Sequence, residues 1–257
     1  MQWSGRIWLA LFLAAAGMAA LGGEAVAARA TVAVAGNFVL PARALSERFQ
    51  AATGHEIRLI NGSTGGLFAQ IMQGAPVDIF LAADRARPQI LVERGLGVAG
   101  SRFTYAVGRL VLWGRKLRIR DGDGAATLRG GGFARLAIAN PKLAPYGAAA
   151  QTVLRRLGVL AALSGKLVYG QNIAQTFQFV ATGNAPLGLV ALSQMKQHKT
   201  GRFWTVPARL HDPIRQDAVL LRRGRDNAAA VEFMQFLRGA AARPILESFG
   251  YASRAAQ

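Results

Sequence analysis

Four short segments of this chain carry the same polar chemistry: Gly36-Asn37, Gly62-Ser63-Thr64-Gly65, Pro145-Tyr146-Gly147 and Asn172-Ile173. Each follows an apolar run and precedes a stretch with helical periodicity. The first N–H groups of a helix have no intrahelical acceptor, and its N-terminus carries roughly half a positive charge. A strand–loop–helix joint is therefore a place for an anion. Asn37 can donate through its amide, Ser63 or Thr64 through a hydroxyl, and Tyr146 and Ile173 through backbone N–H groups. Four such N-termini amount formally to about two positive charges, enough to balance a dianion with no Lys or Arg in contact. Singly, each joint reads equally well as a turn or a helix cap. Their weight lies in their number and their shared position.

The elements around them alternate. Thr31–Ala35 reads as a buried strand, with a helix from near Pro41 that stops at Gly54. Strand Ile57–Ile60 leads through the second joint to a helix starting near Leu67, then strand Val77–Ala82 and helix Arg87–Arg94. Arg102–Trp113 is a long β-rich stretch read as the crossing into a second lobe, and 116–132 as an exposed connection. The pattern then restarts with strand Leu136–Ala139, helix Ala148–Leu157, strand Lys166–Tyr169, helix Ala174–Thr182 and strands Leu187–Leu192 and Phe203–Val206. Ile214–Leu221 returns the chain to the first lobe, and helices near Ala230–Leu237 and Pro244–Ser248 close it. Strands alternating with helices mean βαβ units and a mainly parallel sheet. In open α/β sheets ligands sit beyond the C-terminal ends of the strands, which is where the four joints fall. Two joints belong to each lobe, so a cleft between lobes brings all four together. The expected division is 28–108 with 212–257 for the first lobe and 109–211 for the second.

Composition bounds the function. The chain has 257 residues, of which 1–27 read as a signal peptide: Arg6, an apolar run Ile7–Leu21, and the small-x-small site Ala25-Val26-Ala27. The run is shorter than the ~20 residues of a spanning helix, so a soluble, exported, periplasmic protein is expected. There is no cysteine, hence no disulfide or thiol chemistry. The net charge is +18, but the basic residues are scattered and no aromatic–basic interleaving accompanies them. Nucleic acid is therefore not an expected partner, and the charge would instead raise the local concentration of anions. Ser63 lies in no nucleophile elbow, Gly66-Leu67 lacks the lysine of a phosphate loop, and the dinucleotide fingerprint is absent. His55, His198 and His211 show no metal spacing and are expected at the surface. No enzyme activity is expected.

The ordered segments AVAGNF, GSTGGLFAQIMQGAPVDIFLAAD, GSRFTYAVGRLVLW, LAIANPKLAPYGAAA, NIAQTFQFVATGNAPLGLVALSQ and DPIRQDAVLL closely resemble the ModA family, the periplasmic molybdate-binding proteins of ABC transporters. The resemblance runs from about Thr31 to Tyr251. It implies an α/β type II periplasmic-binding-protein fold, two lobes joined by two crossings, with the ligand in the interlobe cleft. It implies molybdate or tungstate held by neutral hydrogen-bond donors, with no other cofactor and no direct protein–metal ligand. An ABC permease of the inner membrane is the implied partner, and a monomer is expected.

By motif, Asn37 takes the place of the first-loop polar ligand, with Gly36 beside it. Thr64 best matches the hydroxyl ligand of the second loop, with Ser63 its neighbour. Tyr146 and Ile173 lie where the third and fourth joints give backbone N–H groups. Some members use a tyrosine hydroxyl where this chain has Ala191, which places it with the branch that has an asparagine in the first loop. Because only the backbone of Tyr146 is assigned, Tyr146→Phe is expected to change little. A receptor for another oxyanion, sulfate or phosphate, is an alternative, since molybdate and sulfate carry the same charge and shape and differ in size. So is a sensor or interaction module that reports on a liganded cleft.

Overall fold

The computed structural model describes residues 27–115, 119, 123–196, 198 and 202–251. The targeting segment, apart from Ala27, lies outside them. The first sheet has the order β2-β1-β3-β10-β4, from β1 (Arg29–Ala35), β2 (Glu56–Gly62), β3 (Ile79–Leu81), β4 (Phe103–Gly108) and β10 (Ile214–Leu220). β1 pairs in parallel with β2 and β3, and β10 runs antiparallel to β3 and β4. The second sheet has the order β7-β6-β8-β5-β9, from β5 (Leu110–Gly114), β6 (Leu136–Ala139), β7 (Leu167–Gly170), β8 (Leu187–Ala191) and β9 (Arg202–Thr205). Here β6 pairs in parallel with β7 and β8, and β5 is antiparallel to β8 and β9.

The long β-rich stretch is thus two strands in two different sheets, parted at Arg109. The chain passes from one sheet to the other between β4 and β5 and returns between β9 and β10. The central strands are apolar throughout because helices cover both faces. On one side of the first sheet Val32, Val34, Ile79 and Leu81 pack against α1 (Val39–Thr53) and α9 (Ala228–Arg238). Phe49 and Phe233 meet edge to face at 5.3 Å between these helices. On the other side Ala33 and Phe80 pack against α2 (Thr64–Met72) and α3 (Ala86–Glu93). The second sheet buries Leu136, Ile138 and Leu189 against α5 (Pro145–Arg156), and Ala137, Val190 and Val111 against α7 (Ile173–Ala181). Among the described residues no helix is long and apolar enough to cross a membrane.

Two expectations are corrected. Part of the 116–132 connection is helix α4 (Gly124–Gly130), because the Asp123 carboxylate caps it by accepting from the N–H groups of Ala125 and Ala126. His55 and His211 are buried rather than at the surface. His55 Nδ1 accepts from the Ala28 N–H at 3.0 Å, tying the start of β1 to the loop before β2. A His211 ring nitrogen lies 2.7 Å from the Asp212 carbonyl. His198 is packed edge-on to Trp113 at 4.9 Å.

Candidate functional site

All four joints are helix starts in the structure, and the helices begin earlier than periodicity suggests. α1 starts at Val39, α2 at Thr64, α5 at Pro145 and α7 at Ile173. The reason is capping, which apolar spacing does not register. Ser63 Oγ accepts from the Gly66 N–H at 3.1 Å, and Asn172 Oδ1 accepts from the Gln175 N–H at 2.9 Å. Pro145 occupies the first position of α5, where no N–H is needed. Thr64, Tyr146 and Ile173 therefore sit in first turns, where their N–H groups have no intrahelical acceptor.

The joints of the two lobes touch. The Gly65 N–H donates across the cleft to the Leu143 carbonyl at 2.8 Å. Gly36 faces the start of α7, where a methyl group at its Cα would lie 3.4 Å from the Ala174 nitrogen and 3.5 Å from Asn172 Oδ1. Ser193, on the short helix α8 (Leu192–Met195), donates its hydroxyl to the Asn37 carbonyl at 2.8 Å. Close approach is also built into α5: a Cβ on Gly147 would stand 2.2 Å from the Ala139 carbonyl oxygen, so only glycine lets this helix start against the end of β6.

Asn37 is buried and held from the lobe-one side. Its Nδ2 donates to Gln216 Oε1 at 2.8 Å and to the Tyr251 hydroxyl at 3.0 Å. Its Oδ1, on the other edge of the amide, is buried and has no partner. Gln216 Oε1 also accepts from the Tyr105 hydroxyl at 3.1 Å, and its Nε2 donates to the Tyr146 hydroxyl at 3.2 Å. Burial pushes the phenols of Tyr105, Tyr146 and Tyr251 above their ordinary value. All three therefore keep their protons at physiological pH. Where β10 pairs with β4 the register shifts between Gln216 and Asp217, with Tyr105 of β4 as the extra residue, and Gln216 and Asp217 are both fully buried.

Thr64 is buried, and its hydroxyl accepts from the Ala83 N–H at 3.1 Å, bracing α2 against the end of β3. The Thr64 and Ser63 oxygens both serve as acceptors here, so each retains its own O–H hydrogen to donate. Tyr105, Gln216, Tyr251 and Ser193 were not singled out by the sequence. Gln216 lies inside a β run and Tyr251 beyond the last helix, where nothing local marks them as polar partners.

Apart from the backbone role expected of Tyr146, its hydroxyl is the acceptor for Gln216 Nε2. Tyr146→Phe removes the partner of a buried amide N–H, so a loss of about 1–3 kcal/mol in unfolding free energy is expected. Urea denaturation measures it, and an unchanged midpoint and slope would remove the hydroxyl from the network.

A groove of about 420 Å³ opens beside the donors between α3 and α5, lined by Arg85, Arg87, Arg215, Asp84 and Asp212 among others. Three arginines against two aspartates leave its mouth positive. Among the described residues no cluster of His, Asp and Glu could hold a metal ion. The donors facing the cleft suit an anion.

Two α/β lobes joined by two crossings, with helix starts from both facing one cleft, define a type II periplasmic-binding-protein fold. The chain matches the family described as bacterial extracellular solute-binding protein over residues 30–252. It is 48% identical over 248 residues to the molybdate-binding protein ModA of Azotobacter vinelandii, covering 95% of this chain and 97% of that one. It is 45% identical to the ModA of Rhodobacter capsulatus, covering 96% of this chain and 95% of that one. The solved Azotobacter vinelandii periplasmic molybdate-binding protein superposes with a TM-score of 0.84 at 38% identity, covering 87% of this chain and 99% of that one. The chain belongs to the bacterial extracellular solute-binding proteins, and within them to the ModA family.

Proposed function

We propose that this protein is the solute-binding component of a molybdate importer. It captures molybdate or tungstate between lobe 28–108 with 212–257 and lobe 109–211, and delivers it to an ABC permease of the inner membrane. It works in the periplasm, as a monomer, without a cofactor and without transforming its cargo. The observation that supports this best is the meeting of helix starts from both lobes at Asn37, Ser63, Thr64, Tyr146 and Ile173. These donors are neutral and fixed, and a desolvated dianion satisfies the first-turn N–H groups of Thr64, Tyr146 and Ile173, which lack intrahelical acceptors. Binding to one lobe and closure of the other completes the donor shell. The arginine-lined groove at the mouth favours the approach of anions over cations.

Calorimetric titration of the mature protein with molybdate, then sulfate, at physiological salt tests the reading. Tight molybdate binding with no sulfate response is expected. Sulfate binding equally well would make the protein a receptor for smaller oxyanions, and heat from neither would move it to the interaction-module class. Thr64→Ala removes one donor to a charged ligand, so affinity should fall by about 1.5–3 kcal/mol, roughly 10- to 150-fold. The same titration measures this, and unchanged affinity takes Thr64 out of the donor set.

A further inference from the structure

The unpartnered Asn37 Oδ1 points to a role for Gln216. A carbonyl oxygen repels an oxyanion, yet Asn37 presents its Oδ1 on the edge turned away from its protein partners. An amide has two edges of nearly equal shape, one accepting and one donating, and only its hydrogen bonds tell them apart. Turning Asn37 alone by 180° would set its Oδ1 against Gln216 Oε1, two acceptors at 2.8 Å. Turning both amides removes that conflict.

Gln216 Nε2 then donates to Asn37 Oδ1 and to the Tyr105 hydroxyl, whose own hydrogen goes to the Ala82 carbonyl at 3.0 Å. The Tyr146 hydroxyl donates to Gln216 Oε1, and the Tyr251 hydroxyl turns its hydrogen from the Asn37 main-chain carbonyl, 3.3 Å away, to Asn37 Oδ1. Each of these heavy-atom contacts survives. The orphan acceptor is replaced by an N–H donor facing the anion.

We propose that Gln216 is a positioning residue that sets the orientation of the Asn37 amide, and that the oxyanion-loaded protein holds both amides in the turned arrangement. This inference rests on the molybdate reading above. It makes selection for an anion a property of five side chains rather than of Asn37 alone: Asn37, Gln216, Tyr105, Tyr146 and Tyr251. Tyr146 joins the lobes through this relay, since it stands on α5 while Gln216 stands on β10. Lobe closure and the donor edge of Asn37 are thereby coupled.

Gln216→Glu separates this role from simple packing. A carboxylate is isosteric and fully accepting, so it holds Asn37 Nδ2 toward itself and leaves Oδ1 toward the anion. Molybdate affinity should fall by about 100-fold or more, through the lost donor and the added charge together. Gln216→Met, which carries no charge, should lose about tenfold, the worth of a typical hydrogen bond.

Neutron diffraction on deuterated crystals of the full mature protein grown with sodium molybdate reads the arrangement directly. Deuterons on the Asn37 edge facing the anion, with Gln216 deuterons toward Asn37 and Tyr105, are expected. An anion in the cleft against the Asn37 carbonyl edge, or Gln216→Met binding as tightly as the parent, overturns the role of Gln216 and leaves the molybdate reading standing. A cleft without the anion, together with no calorimetric heat, overturns both.

Discussion

Asn37→Asp is expected to abolish molybdate binding while leaving the protein folded. The side chain is 2% exposed, so an introduced carboxylate has no bulk water to screen it. It is isosteric with the amide, so the backbone and the Ser193 contact to the Asn37 carbonyl remain in place. Losing a donor to a charged ligand costs about 1.5–3 kcal/mol, which is all that Asn37→Ala should lose. The aspartate adds repulsion. Two unit charges 4 Å apart at an effective dielectric constant of 20 interact by about 4 kcal/mol, and a dianion presents two.

Repulsion therefore dominates the lost hydrogen bond, and the affinity should fall more than about 1,000-fold. The Tyr251 hydroxyl and a turned Gln216 amide can both donate to the new carboxylate, which keeps its cost to the fold modest. Titration calorimetry beside a thermal melt decides the matter. A folded Asn37→Asp protein that binds molybdate within tenfold of the parent would place the anion away from Asn37.

Much of this architecture is legible in the sequence because the fold repeats one local rule. An apolar run such as Leu136–Ala139, a polar joint and an amphipathic helix can be recognised within 20 residues, and both sheets are built from that unit. Asn37, Ser63, Thr64, Tyr146 and Ile173 could be marked because each sits beside a glycine, a proline or a cap. What the sequence does not display is partnership over distance. Asn37 and Gln216 are 179 positions apart, and Asn37 and Tyr251 are 214 apart. Nothing in GYAS or IRQDAV indicates that its tyrosine or glutamine will reach the first loop. The burial of His55 is hidden for the same reason: its partner is the Ala28 N–H, 27 residues earlier. Apolar spacing places these helix starts too late because it registers where a helix packs, whereas Ser63 and Asn172 determine where it begins.

Next to Gln216 on β10, Asp217 is a buried carboxylate, and this makes Arg102→Ala the stability test with the largest expected effect. Asp217 has a fully buried side chain. Arg102 Nη1 donates to its Oδ2, and Thr104 Oγ1 donates to its Oδ1 at 2.6 Å. Arg85 Nε stands 3.7 Å from the same Oδ2 but is 55% exposed, so it compensates weakly. Removing one partner of a buried ion pair typically costs about 3–5 kcal/mol, because the other charge is left without compensation. With Arg85 retained, about 3 kcal/mol is expected here, a fall of roughly 6–12 °C in Tm for a chain of this size.

Adding Asp217→Asn to Arg102→Ala should restore most of the loss, since asparagine removes the orphaned charge and still accepts from Thr104. A double-mutant cycle by calorimetric melting measures the coupling. A single-variant loss below about 1 kcal/mol, with no recovery in the double variant, would show that Asp217 is solvated rather than held by Arg102. The register shift between β10 and β4 would then rest on the Thr104 contact and backbone pairing alone.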